Sequence, residues 1–201
     1  MSQTATPYGL RPVKRADGMP YAGAQSQYLI DPAGYGTNLY YGQVVNINAN
    51  GYIVLSTGTG ADGTTNSLPG SGTLTGSIGV FVGCEYVNAE GQLIFSQRYP
   101  AGTLNAKAYV VDDPNMLFQA QLDGAGAQTI IGANTFFAAA QSGSTGNAQT
   151  GVSTSALEST VVTTTAAFRI VGHVSPPSDP FPDVLVKFNP GYHSLNNAVG
   201  L

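Results

Sequence analysis

The sequence predicts a mainly β protein: a compact β-barrel or β-sandwich with hairpins, long Gly/Ser/Thr loops and an extended N-terminal arm. Three observations carry that prediction. The chain holds 26 glycines and 12 prolines in 201 residues, which cut it into segments too short for most helices. Short apolar stretches rich in Val, Ile, Tyr and Phe alternate with these breaks, as strands do. Asn50-Gly51 joins two such stretches, and those two residues accept the positive φ that a tight hairpin turn needs.

The elements follow in order. Gln27-Tyr28-Leu29-Ile30-Asp31 reads as a strand ended by the turn signal Asp31-Pro32-Ala33-Gly34. Leu39-Tyr40-Tyr41-Gly42 leads into the first hairpin, Val44-Val45-Asn46-Ile47 and Tyr52-Ile53-Val54-Leu55. Residues 56–76 are low in complexity and nearly free of large apolar groups, so they read as an exposed loop. Ser77 to Val87 is almost continuously hydrophobic, and Asn88-Ala89-Glu90-Gly91 turns it into Gln92-Leu93-Ile94-Phe95-Ser96. That is a second hairpin. Ala108-Tyr109-Val110-Val111 and Met116 to Gln121 flank Asp112-Asp113-Pro114-Asn115, which reads as a third. Residues 126–140 are the only plausible helical piece, short and ambiguous. After a second Ser/Gly/Thr-rich loop at 141–156 come strands at Thr165–Gly172 and Asp183–Phe188, with a Pro-rich turn at 176–182 between them. The last dozen residues read as a polar tail.

Ahead of this single β-rich body, residues 25–201, lies the arm, residues 1–24. Its prolines at 7, 12 and 20 exclude a regular helix. Yet it carries Tyr8, Leu10, Val13, Met19 and Tyr21, which a merely solvated tail would lack. It also holds Arg11, Lys14 and Arg15, three of the seven Lys and Arg residues in the chain. An extended, apolar and locally basic segment suits docking on another protein, and it predicts that removing residues 1–21 leaves the body folded. The contact residues expected are Tyr8, Leu10, Arg11, Val13, Lys14, Arg15 and Tyr21, the aromatic anchor and arginine first.

Composition narrows the function classes. Charged residues make up 9% of the chain, against about 25% in an ordinary soluble domain. The polar surface must then be neutral, and neutral groups cost less to desolvate than charges. That favours life in an assembly. A net charge of −4 argues against a nucleic-acid-binding body. No run approaches the ~18 apolar residues of a membrane span, and the first twenty residues lack a secretory h-region. Cys84, alone, forms no internal disulfide and reads as a small buried hydrophobe.

Catalytic signals are sparse. His173 and His193 have no G-x-S-x-G partner, the Gly-rich run at 56–76 lacks a Lys-Ser/Thr and a following helix, and neither H-x-x-H nor C-x-x-C occurs. No catalytic, cofactor or metal residue is therefore assigned. Asp112 and Asp113, with Asp123 ten residues on, are the sharpest acidic group; turn geometry accounts for them better than a cation site does. Asp179 and Asp183, around Pro180 and Pro182, read the same way. Eleven tyrosines without tryptophan suit a protein interface better than a sugar platform.

Three stretches bear a family likeness: Pro7-Tyr8-Gly9-Leu10-Arg11-Pro12-Val13; Ala108 to Pro114 followed by Phe118-Gln119-Ala120-Gln121; and Phe168-Arg169-Ile170-Val171-Gly172 with Pro182 to Lys187. Gly79 to Cys84 fits between them. In this order the chain resembles the capsid decoration, or cement, proteins of podovirus-like tailed bacteriophages. The resemblance implies a non-enzymatic virion protein of the outer capsid surface, made in the host bacterial cytoplasm. It also implies a homotrimer that clamps adjoining subunits of the major capsid protein, multivalently. The alternative is a glycan-binding host-recognition module, a tail-fibre or surface adhesin piece, using the loops at 56–76 and 141–156. Those loops contain no aromatic residue to stack on a sugar.

Overall fold

A computed structural model of the chain describes residues 4–58 and 77–196. It is mainly β, with antiparallel sheets stacked as in a sandwich and no closed barrel among the described residues. One sheet has five strands in the order β1 (Arg11–Arg15), β10 (Met116–Gln121), β13 (Asp183–Phe188), β12 (Phe168–His173) and β11 (Asn134–Thr135). The other runs β2 (Ser26–Leu29), β9 (Lys107–Val111), β6 (Gly79–Val87), β4 (Val44–Ile47) and β5 (Ile53–Leu55), with β7 (Leu93–Ser96) also on β6. A small third sheet pairs β3 (Leu39–Tyr40) with β8 (Arg98–Tyr99).

The six-stranded sheet is buried on both faces over its middle. Side chains alternate across a strand, and here each side has its own core. Val44, Val80 and Val111 enter a core shared with Phe118, Phe168 and Phe188 of the five-stranded sheet. Their neighbours Val45, Phe81 and Val110 enter a second core with Ile30, Leu39, Ile53 and Tyr99. A strand covered on both sides must be apolar at consecutive positions, which is why Ile78 to Cys84 lacks alternation. The five-stranded sheet packs on that core by one side; on the other, Leu117 and Gln121 are buried while the β13 positions stay partly exposed. In β13, Val184, Val186 and Phe188 are buried while Asp183, Leu185 and Lys187 between them are partly exposed. Phe137, Phe168, Phe188 and Phe118 pack successively, with ring centroids 5.2, 5.0 and 5.8 Å apart; each fully buried Phe contributes roughly 1.5–3 kcal/mol.

The first two expected hairpins are present. β4 and β5 pair through Asn46↔Val54, with Gly51 at φ +82°, and β6 and β7 pair through Tyr86↔Ile94, with Gly91 at φ +81°. The third is not a hairpin. The Asp112–Asn115 turn forms, with Met116 N donating to the Asp113 carbonyl at 3.0 Å. However, β9 stays with β2 and β6, while β10 crosses to pair with β1 and β13. The turn carries the chain from one sheet to the other. Residues 126–140 hold a single 3-10 turn, Gln128–Ile130, and then β11, so the helical expectation fails.

The second loop forms where expected but is packed down, and the tail differs from expectation. Residues 59–76 lie outside the described residues; Ser56, at the start of that loop, is buried. The 141–156 segment is packed down through buried amides. Gln141 Oε1 accepts from Val44 N at 3.0 Å, and Gln43 Nε2 donates to Thr145 Oγ1 at 2.9 Å. Tyr192 and His193 are buried too, so the polar tail begins no earlier than Ser194. The sequence signal missed these because Gln and Ser read as loop residues, although paired neutral amides bury at small cost.

Candidate interaction surface

The N-terminal segment is extended, and it is built into the body. β1 is an edge strand of the five-stranded sheet, in register Arg11↔Gln119 and Arg15↔Met116. Just before it, Gly9 N donates to the Ser155 carbonyl at 3.1 Å and Leu10 N to the Gly42 carbonyl at 2.9 Å. After it the chain doubles back: Arg15 N donates to the Met19 carbonyl at 2.7 Å and Tyr21 N to the Val13 carbonyl at 3.0 Å. Main-chain pairing of this kind satisfies donors and acceptors that a free arm would leave to water.

The seven residues expected to touch a partner therefore divide. Leu10 is wholly buried in the shared core, so it serves this chain's own fold and is not a contact residue. Tyr8 is half-buried, and its hydroxyl donates to Asp183 Oδ1 at 2.9 Å. Burial first, and then that hydrogen bond to a carboxylate, push its pKa up. The Arg11 guanidinium lies over the Tyr8 ring at 4.7 Å, a cation–π contact that holds the exposed arginine in place. Val13 is 36% exposed, and Lys14 is partly exposed. Arg15 is partly exposed but committed to an ion pair, its Nε 2.9 Å from Asp113 Oδ2. Tyr21 is partly buried against the core, which raises its pKa. Arg11, Val13 and Lys14 are the members of the set that stay available.

The acidic residues are engaged separately rather than converging. Asp112 accepts from the Tyr28 hydroxyl at 2.7 Å, and Asp113 pairs with Arg15. Asp123 accepts from Ser159 N at 2.8 Å. Glu85 accepts from the Tyr109 hydroxyl at 2.6 Å and pairs with Lys107 at 3.1 Å, which holds its carboxyl below the usual range. Cys84 is buried, as expected, and burial pushes its thiol up to about 12. Gly146 of the 141–156 loop packs onto the Tyr40 ring, which is buried and offers no face to a sugar.

A surface that the sequence analysis missed lies on the six-stranded sheet. Tyr109 is two residues from Val111 and shares its face, so the face that packs on the five-stranded sheet continues outward. The register Gln27↔Tyr109, Leu29↔Lys107, Glu85↔Lys107, Glu85↔Phe95 and Val87↔Leu93 puts four large apolar side chains on that continuation. Leu29, Val87, Leu93 and Phe95 are each more than half exposed, Phe95 at 67%. A groove of about 390 Å³ lies beside Phe95, Tyr109 and Gly83. The polar groups on this face, Glu85, Lys107, Tyr109 and Gln27, bond to one another. The signal was present in the alternation Gln92-Leu93-Ile94-Phe95-Ser96, which marks a strand without telling which face is covered.

No family model, no curated protein and no solved structure matches the chain.

Proposed function

We propose that this chain is a structural virion protein that decorates the outside of a tailed-phage capsid and stabilises it by clamping adjoining major capsid subunits. It acts as a homotrimer and has no enzymatic activity. The observation that supports this reading most is the exposed apolar sheet face of Leu29, Val87, Leu93 and Phe95. Several large apolar side chains exposed on one sheet face mark a site that another surface covers. The charges on this face, Glu85 and Lys107, are already paired at 3.1 Å, so covering it desolvates one neutralised pair rather than free ions.

The two ends of the reading have different supports. The apolar face suits contact between copies, because neutral, apolar surface dominates permanent homo-oligomer interfaces. Capsid contact falls to the polar and basic exterior, where Arg11 and Lys14 stand. A trimer presenting three such surfaces gains avidity from contacts that are individually weak. The carboxylates best placed for acid–base work are occupied: Asp112 by Tyr28, Asp113 by Arg15 and Glu85 by Tyr109 and Lys107.

The test is cosedimentation of the purified chain with empty shells of the phage that encodes it. Saturable binding, in whole-number multiples of three chains per site, is the expected result. Chain that stays in the supernatant at every shell concentration sinks the proposal.

A further inference from the structure

We infer that the outward face of the five-stranded sheet is a docking surface for an acidic protein surface; this rests on the proposed function and names the chemistry of its partner. The register aligns Arg11↔Gln119, Gln119↔Leu185, Lys14↔Leu117 and Arg169↔Lys187. Cross-strand partners share a face, and Leu185 and Lys187 are two apart, so Arg11, Lys14, Lys187 and Arg169 all stand on the side away from the core. These are four of the chain's seven cations, brought together from both ends of the sequence.

The acids are elsewhere. Asp183 is the one carboxylate on the five strands, and its oxygens already accept from the Tyr8 hydroxyl at 2.9 Å and Gln119 Nε2 at 3.2 Å. Four cations against one acid make this face +3, which leaves three cations against ten acids, −7, on the rest of the chain. Among the described residues, Arg11, Lys14, Arg169 and Lys187 form no ion pair. Arg169 and Lys187 are direct cross-strand partners, and like charges placed directly opposite destabilise a sheet. Lys187 Nζ donates to the neutral Asn115 Oδ1 at 3.1 Å, so the two like charges stand on neighbouring strands without the counter-ion that an anionic partner would supply.

The pair is also prepared for a carboxylate. Arg169 Nε donates to Asn134 Oδ1 at 3.2 Å; Asn134 is buried and also accepts from Asn189 at 3.0 Å. That anchor fixes the guanidinium plane and leaves its Nη edge for a carboxylate. A pocket of about 290 Å³ opens between Arg169, Lys187 and Val171, and Val171 is 45% exposed. Apolar side chains among cations suit a protein partner. A nucleic acid is a polyanion extending past the face, and the −7 remainder repels it.

The experiment measures binding of the full-length chain to an immobilised short peptide of alternating glutamate and leucine, compact enough to stay on this face, and to a DNA duplex that extends past it, at low and moderate salt. The expected result is binding to the glutamate-rich peptide despite the net charge of −4, weakening as salt rises and tighter than to DNA. Lys187→Gln and Arg169→Gln should each weaken it by about tenfold while the thermal melt stays native-like. No binding by the native chain, tighter binding to DNA, or undiminished binding by folded variants overturns the inference. If a variant fails to fold, the native chain's preference for the glutamate-rich peptide over DNA still decides. Because no shell is present, failure here leaves cosedimentation with the shell as an independent result.

Discussion

Gly9 and Gly42 lie backbone against backbone where the N-terminal segment crosses the chain after β3. A Cβ on Gly9 would sit 2.5 Å from the Gly42 carbonyl oxygen, and one on Gly42 would sit 2.6 Å from the Tyr8 carbonyl oxygen. Both residues hold positive φ, +73° and +89°. Only glycine fits twice over, by space and by backbone conformation. Gly9→Ala and Gly42→Ala should each destabilise the fold by about 2 kcal/mol or more, read from denaturant midpoints. Native-like midpoints would show that the crossing is loose.

The same crossing reverses an expectation about the arm. With Leu10 in the core and β1 paired to β10, removing residues 1–21 takes away an edge strand and a core side chain. The deletion should lower stability sharply, and Leu10→Ala alone should cost about 2–5 kcal/mol. A truncated chain that melts like the whole would restore the picture of a detachable arm.

How far the sequence discloses this fold depends on which force acts at each place. Asn50-Gly51 and Gly91 encode local reversals, so the β4–β5 and β6–β7 hairpins are legible. Asp112 to Asn115 encodes a reversal just as clearly, but the choice of sheet on either side is tertiary. Val110 and Val111 serve opposite cores. The basic cluster at 11–15 was visible, whereas its union with Arg169 and Lys187 depends on strand order, which no local pattern carries. The exposure of Phe95 was hidden for the same reason: alternation marks two faces without saying which one a neighbour covers.

His193 gives a pH signature. It is 1% exposed and packs its ring against Phe188 at 5.4 Å. Burial lowers its pKa from 6.5 to about 4, with Asp112 and Asp113 pulling the other way. The unfolded chain then binds the proton first as pH falls, so stability is full above about 6.5 and drains between 6.5 and 4. The loss should approach roughly 3 kcal/mol, ahead of any loss from Glu85, whose carboxyl titrates below its ordinary value. Urea midpoints across this range should fall in the native chain and stay flatter in His193→Gln. Parallel curves would remove His193 from the account.

Cys84 should be chemically silent in the folded chain. With its pKa pushed up to about 12 and 1% exposure, little thiolate forms and little reagent reaches it. A thiol-reactive dye at mildly alkaline pH should label it only after denaturant is added. Prompt labelling of the native protein would mean that the second core opens readily.

Phe95 and Leu93 should matter to association far more than to folding. Each is more than half exposed, and substitutions at such positions usually change stability by no more than about 0.5 kcal/mol. Phe95→Ser should keep the native melt while shifting the native mass, measured across a wide dilution series, from the proposed trimer to monomer. A variant that stays trimeric would place the interface between copies elsewhere.

The proposed function is mechanical, that of a cement protein on a pressurised shell. The most direct measurement is the temperature at which DNA-filled particles release their genome, with the chain present, removed and added back. The account predicts early release from stripped particles and recovery on adding the native chain. Identical release temperatures in all three states would contradict it.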